Sequence, residues 1–193
     1  MSKSTFQIDD RAGVRIVRLC SEDGTNRLTR DLVRPLAEAV DRWTREPLPL
    51  VITGSSKFFS AGADLQEIFA LDGPSALQFS KMGQRLMRLV DDFPAPVYAA
   101  ISGYCMGGGL DLALACRYRI ASPHAVLGHR GAALGLITGW GGTQRLPRLV
   151  GKARALEMFV AAEKVSAVRA LRIGLVDGIA DDPVGEALRR IGV

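Results

Sequence analysis

Two stretches of this 193-residue chain follow one plan. In LVITGSSKFFSAGADL (50–65) and VYAAISGYCMGGGLDL (97–112), a short apolar run leads into glycines and then into a helix start. An apolar run of that length bounded by turn residues reads as a strand buried on both faces. The helix that follows leaves its first N–H groups unpaired and carries the positive end of its dipole there. Glycine lets another group approach that backbone closely. Two such turns facing each other would offer two N–H donors to one oxygen, the arrangement that stabilises a carbonyl oxygen gaining charge in a reaction. Asp111 follows Gly108 by three residues, on the same helix face, so an acid would stand beside a carbonyl held at the Gly108 N–H. Strand–helix packing also accounts for such glycines, and a carboxylate near a helix start also suits the dipole.

Around these turns the chain alternates strand and helix. STFQIDDRAGVRIVRLC alternates apolar and polar residues about DDRAG and reads as a hairpin. TRDLVRPLAEAVDRW has helical spacing through Leu32, Leu36, Ala39, Val40 and Trp43, with Pro35 acceptable only near the first turn. SSKFFSAGADLQEIFA is a glycine-containing turn entering a short helix, and GPSALQFSKMGQRLMRLVDDF is a longer amphipathic helix stopped by Pro94 and Pro96. YRIAS and AVLGH read as short strands; GGTQRLPRLVG, KARALEMFVAA and SAVRALRIGLVD read as helices. The alternation argues an α/β fold in one domain over 1–193.

The net charge of +5 is spread over scattered arginines and lysines, and aromatic residues are only 6%. A nucleic-acid surface needs a basic stripe and stacking aromatics, so no nucleic-acid partner is expected, while a small polyanion such as a nucleotide-bearing cofactor suits the mild positive bias. No apolar run approaches the length of a membrane span, and MSKSTFQIDDRAG lacks the apolar core of a secretion signal. Cys20, Cys105 and Cys116 are odd in number and show no metal spacing. These features predict a cytoplasmic protein with reduced thiols and no membrane partner. With His124 and His129 as its only histidines, the chain offers little for a metal site. There is no G-x-S-x-G elbow for a serine hydrolase and no phosphate-loop spacing.

Three stretches resemble the crotonase superfamily, the enoyl-CoA hydratase/isomerase group: FFSAGADLQEI, AAISGYCMGGGLDLALACRYRIAS and LGLITGWGGTQRLPRLVGKARALEM. The likeness runs over nearly the whole chain. It implies a spiral of ββα units, acyl-CoA thioester substrates with no cofactor beyond the CoA they carry, enolate intermediates, and homotrimers or hexamers. Matched residue by residue, the resemblance makes the N–H groups of Ala63 and Gly108 the oxyanion donors and Asp111 the first catalytic acid. It places Lys57 and Arg27 near the CoA phosphates and adenine. Ala61, Asp64, Leu65, Gly107, His129 and Gly131 fall along the substrate, with His129 and Arg130 in the loop that walls the acyl pocket. For Lys57 and Arg27 a solvated surface charge is the competing reading, and for His129 a structural role is.

The chain departs from the hydratase pattern in three places. Gly131 stands where hydratases carry a second glutamate, the first acid is Asp rather than Glu, and the sequence stops at Val193, short of most of the usual C-terminal helical region. A single acid suits isomerisation, in which one group takes and returns a proton. Burial should raise the pKa of Asp111. A decarboxylase, a thioesterase, or a protein that binds CoA thioesters without turning them over are the alternatives on the same scaffold.

Overall fold

A computed structural model of the chain describes residues 4–193; the first three residues of the stretch lacking a signal core lie outside them. The expected hairpin is β1 (Ser4–Arg11) and β2 (Val14–Ser21), joined through Ala12 and Gly13, both at positive φ (48° and 80°). That backbone hand matches the twist of paired strands. Next come α1 (Arg30–Trp43), β3 (Leu50–Thr53), β4 (Phe58–Ser60), α2 (Leu65–Phe69) and α3 (Gly73–Asp91). They are followed by β5 (Val97–Ile101), β6 (Tyr104–Met106), α4 (Gly108–Ala115), β7 (Tyr118–Ala121) and β8 (Val126–Gly128). After a 3-10 turn at Gly131–Leu134 come α5 (Gly142–Val150), α6 (Lys152–Val160), β9 (Val165–Ser166), α7 (Ala167–Arg172), β10 (Gly178–Ile179) and α8 (Pro183–Ile191).

The strands alternate between a six-stranded sheet, ordered β1-β2-β3-β5-β7-β10, and a four-stranded one, ordered β4-β6-β8-β9. Three times the chain runs from the first sheet to the second and then into helix. Parallel pairing of β3, β5 and β7, and of β4, β6 and β8, stacks these passages. The result is the spiral of ββα units that the resemblance implies.

The six-stranded sheet is covered on both faces, which is why β3 and β5 read as unbroken apolar runs. Leu50, Ile52, Val97, Ala99 and Ile101 face the main core beneath α1, α3 and α4. Val51, Tyr98, Ala100 and Ile120 face the other way, onto Val184, Ala187, Leu188 and Ile191 of α8. Among the described residues no helix is long and apolar enough to cross a membrane.

Pro35 lies at the sixth position of α1, deeper than expected. It sits on the exposed face, where the Asp31 carbonyl left without its N–H partner can turn to water.

Trp140 links α3 to the site. Its ring is 3% exposed, packs on Phe79 at 5.2 Å and donates its Nε1–H to the Phe79 carbonyl at 3.3 Å. A Cβ on Gly83 of α3 would lie 2.2 Å from that ring. Replacing a helix-interior glycine by alanine ordinarily stabilises by about 1 kcal/mol. Gly83→Ala should instead lower stability in urea or thermal unfolding, by about 1–3 kcal/mol as overpacked core positions do. In a Trp140→Ala background the same change should be neutral or stabilising.

Candidate active site

The two glycine turns meet. The first is held by a buried network: Asn26 donates through Nδ2 to the Phe58 carbonyl at 2.8 Å, and Ser60 donates through Oγ to the Asn26 carbonyl at 2.7 Å. The Leu28 N–H closes on the Gly62 carbonyl at 2.9 Å. The second turn leaves β6 and enters α4 through Gly107. They approach so closely that a Cβ on Gly62 would lie 2.6 Å from the Met106 carbonyl oxygen and 3.1 Å from the Gly108 nitrogen. A Cβ on Gly108 would lie 3.1 Å from the Ala63 nitrogen. Ala63 and Gly108 both line one cleft, and among the described residues no backbone acceptor takes their N–H groups.

That cleft has a volume of about 290 Å³. Its walls are mainly apolar, with Leu65, Ile68, Phe79, Met106, Trp140 and Phe159 among them, and Asp111, His129 and Thr138 supply polar groups. α4 is buried from Gly109 to Ala115, and Asp111 is 1% exposed within it. The Thr138 hydroxyl donates to Asp111 Oδ2. Oδ1 has no hydrogen-bond partner and lies 3.6 Å from His129 Nε2. Gly142 makes room for this arrangement, since a Cβ there would lie 2.2 Å from Oδ1 and 2.9 Å from Nε2.

Burial pushes the Asp111 carboxyl up to about 7. The Thr138 hydroxyl, the Arg145 guanidinium and the Gly142 and Trp140 N–H groups oppose that shift, although neither N–H closes a hydrogen bond on Oδ1. Burial drives the His129 imidazole the other way, down to about 4.

The cleft gathers Ala61, Ala63, Leu65, Gly107, Gly108, Asp111, His129 and Gly131 from the residues singled out in the sequence. Three others stand apart from it. Asp64 Oδ1 accepts from the Gln66 and Glu67 N–H groups at 2.8 and 3.1 Å, so this carboxylate caps α2. Arg27 pairs with Asp23 at 2.8 Å, and Lys57 is exposed. Asn26, Ser60, Thr138, Trp140 and Gly142 shape the site and were not singled out. Only ITGWGG (137–142), with its polar residue among glycines, carried a local signal for the last three.

The description "Enoyl-CoA hydratase/isomerase" belongs to the family model that matches residues 9–190. The chain belongs to this family. As an enoyl-CoA hydratase/isomerase family member it is 42% identical over 154 residues to a probable enoyl-CoA hydratase of Bacillus subtilis, which covers 78% of this chain and 60% of that one. It is 40% identical over 157 residues to a crotonyl-CoA hydratase of Syntrophomonas wolfei, covering 80% and 60%. Pseudomonas aeruginosa DspI has the same fold, with a TM-score of 0.91 at 36% identity over 96% of this chain and 78% of that one. The chain thus spans about 60% of the length of these two sequence relatives. Among the described residues Asp111 brings the one carboxyl in the lining of the cleft, and Gly131 stands where the resemblance leads one to expect a second. Gly131 opens the 3-10 turn, closed by the Leu136 N–H on the Gly131 carbonyl at 2.9 Å. A Cβ at 131 would lie 2.7 Å from the Leu136 oxygen.

The shifts of Asp111 and His129 have opposite consequences for stability. Between about pH 4 and 7 the folded chain holds the Asp111 proton and the unfolded chain has lost it, so rising pH destabilises the fold. Between about pH 4 and 6.5 the unfolded chain protonates His129 and the folded chain does not, so rising pH stabilises it. The two slopes, each at most about 1.4 kcal/mol per pH unit, cancel over the shared window. Relative to the parent, Asp111→Asn should gain stability steadily as pH rises from 4 to 7, and His129→Gln should lose it from 4 to 6.5, as followed by urea unfolding at stepped pH.

Proposed function

We propose that this chain is an enzyme of the enoyl-CoA hydratase/isomerase type, acting on acyl-CoA thioesters through an enolate. The observation that carries the reading is the convergence of the Ala63 and Gly108 N–H groups with the buried Asp111 carboxyl on one apolar cleft. The thioester oxygen would sit between the two N–H groups, where its charge grows as a proton leaves the neighbouring carbon. Asp111 would carry that proton. A carboxyl with a pKa near 7 is divided between acid and base at neutral pH, which suits a group that must do both. Isomerisation of a 3-enoyl thioester then needs Asp111 alone, taking a proton from C2 and returning it to C4. The reaction is redox-neutral and draws on no group beyond the substrate and its CoA.

Lys57 would meet the CoA phosphates from its exposed position, and Arg27 would first have to leave Asp23. The apolar lining would take the acyl group. We place the activity in the cytoplasm, in keeping with thiols that form no disulfide. We also propose a homotrimer or hexamer. Leu156, Val160 and Val168 are 60–70% exposed, an apolar surface of the kind that assembly covers. Sedimentation should find an oligomer, and a monomer at working concentration would refute it.

Turnover tests the catalytic reading. The purified chain should hydrate crotonyl-CoA or isomerise a 3-enoyl-CoA, and Asp111→Ala should lose at least about 100-fold in kcat, the usual contribution of a general acid–base group. Acyl-CoA binding with no turnover, unchanged in the variant, would instead mean a binding protein on this fold.

A further inference from the structure

We propose that His129 is the second proton-transfer group of this site, working with Asp111 across the gap between Nε2 and Oδ1. The inference rests on the enolate chemistry just proposed and gives the hydration reaction the group that Gly131 does not supply.

Three buried polar atoms in this one place lack a hydrogen-bond partner: Asp111 Oδ1, His129 Nδ1 and His129 Nε2. Leaving such an atom unpaired costs about 1–3 kcal/mol, so native folds avoid it. A histidine that served only to fill the core would have at least one ring nitrogen satisfied. Here the ring is clamped on its face by Phe159, with centroids 5.2 Å apart, and its Nε2 is left 3.6 Å from the one carboxylate oxygen that Thr138 does not occupy. Gly142 preserves that gap. His129, Asp111 and Thr138 all line the cleft. Two further titratable groups interact with Asp111: the buried Cys105 thiol on β6, whose pKa burial raises, and Arg145 on α5, engaged by Asp91 at 2.9 Å. No second carboxylate can enter from position 131 without displacing the Leu136 carbonyl.

Hydration balances on this pair. Water oxygen bonds to C3 of the 2-enoyl thioester, and its proton passes to His129 Nε2. The C2–C3 π electrons move onto the thioester as an enolate held by the Ala63 and Gly108 N–H groups. Protonated Asp111 then gives its proton to C2, forming the 3-hydroxyacyl thioester. Imidazolium and carboxylate are left side by side, and transfer from Nε2 to Oδ1 resets both. The pair has no net charge before the reaction, after protonation of C2 and after the reset, which suits a buried site. Isomerisation uses no water and does not need His129.

The test compares crotonyl-CoA hydration with isomerisation of 3-hexenoyl-CoA in the parent, His129→Gln and Asp111→Asn. His129→Gln should lower kcat for hydration by about 100-fold or more and should lower the ratio of hydration to isomerisation by at least about 10-fold; Asp111→Asn should lose both. Hydration surviving in His129→Gln, or a parent that isomerises but does not hydrate, overturns the role of His129 and leaves that of Asp111 standing. Absence of Asp111-dependent exchange of the butyryl-CoA C2 protons in D2O overturns the enolate reading beneath it. Should His129→Gln misfold, the parent chain still decides, because it holds only two histidines and the other, His124, is exposed. Its buried imidazole 15N signals should shift with 3-hydroxybutyryl-CoA and not with butyryl-CoA. Equal response to both ligands, or to neither, overturns the proposal.

Discussion

The contact between the two glycine turns is the constraint on which the site depends. Parallel pairing of β4 with β6 sets them side by side, and the absence of side chains at Gly62 and Gly108 lets backbone meet backbone. The buried Asn26–Ser60 network fixes the first turn from behind. α4 starts from the second, and its burial carries Asp111 into the core. If the turns separated by the width of one methyl group, the Ala63 and Gly108 N–H groups could no longer share the oxygen proposed to sit between them, whatever the acid did.

Placing a carboxylate in that core has a cost. The site limits it by holding the proton on the carboxyl up to about pH 7 and setting a neutral imidazole, with the opposite pH response, beside it. A fully ionised Asp111 would need more donors than Thr138 alone supplies. More donors would lower its pKa, leaving less of it protonated at neutral pH and making its carboxylate a weaker base. The shortage of hydrogen bonds is therefore part of what suits the carboxyl to the proton transfer proposed for it.

Much of this was legible in the sequence. β3, β5, α1, α3, α4 and the hairpin follow from period and turn chemistry, and the paired turns from repetition of one plan. The short strands β4, β6, β9 and β10 were not read, because two or three residues carry no period and their partners are remote in sequence. α8 was missed although Val184, Ala187, Leu188 and Ile191 have helical spacing; nothing local says that a sheet face waits for them. Asp64 had a readable signal, an acid three residues before Glu67 at a helix start, the pattern of an N-terminal cap. The surroundings of His129 were the least legible, since Asp111, Gly142 and Phe159 reach it from three different parts of the chain.

The 3-10 turn after β8 limits what position 131 can hold. With the Leu136 carbonyl pressed against the Cα of Gly131, exchanging that glycine for glutamate asks the turn to open as well. With this turn, a carboxylate at position 131 comes only together with a shift of the backbone between residues 131 and 136. The loop geometry works as a ratchet, holding the chain to whatever chemistry its remaining groups can perform.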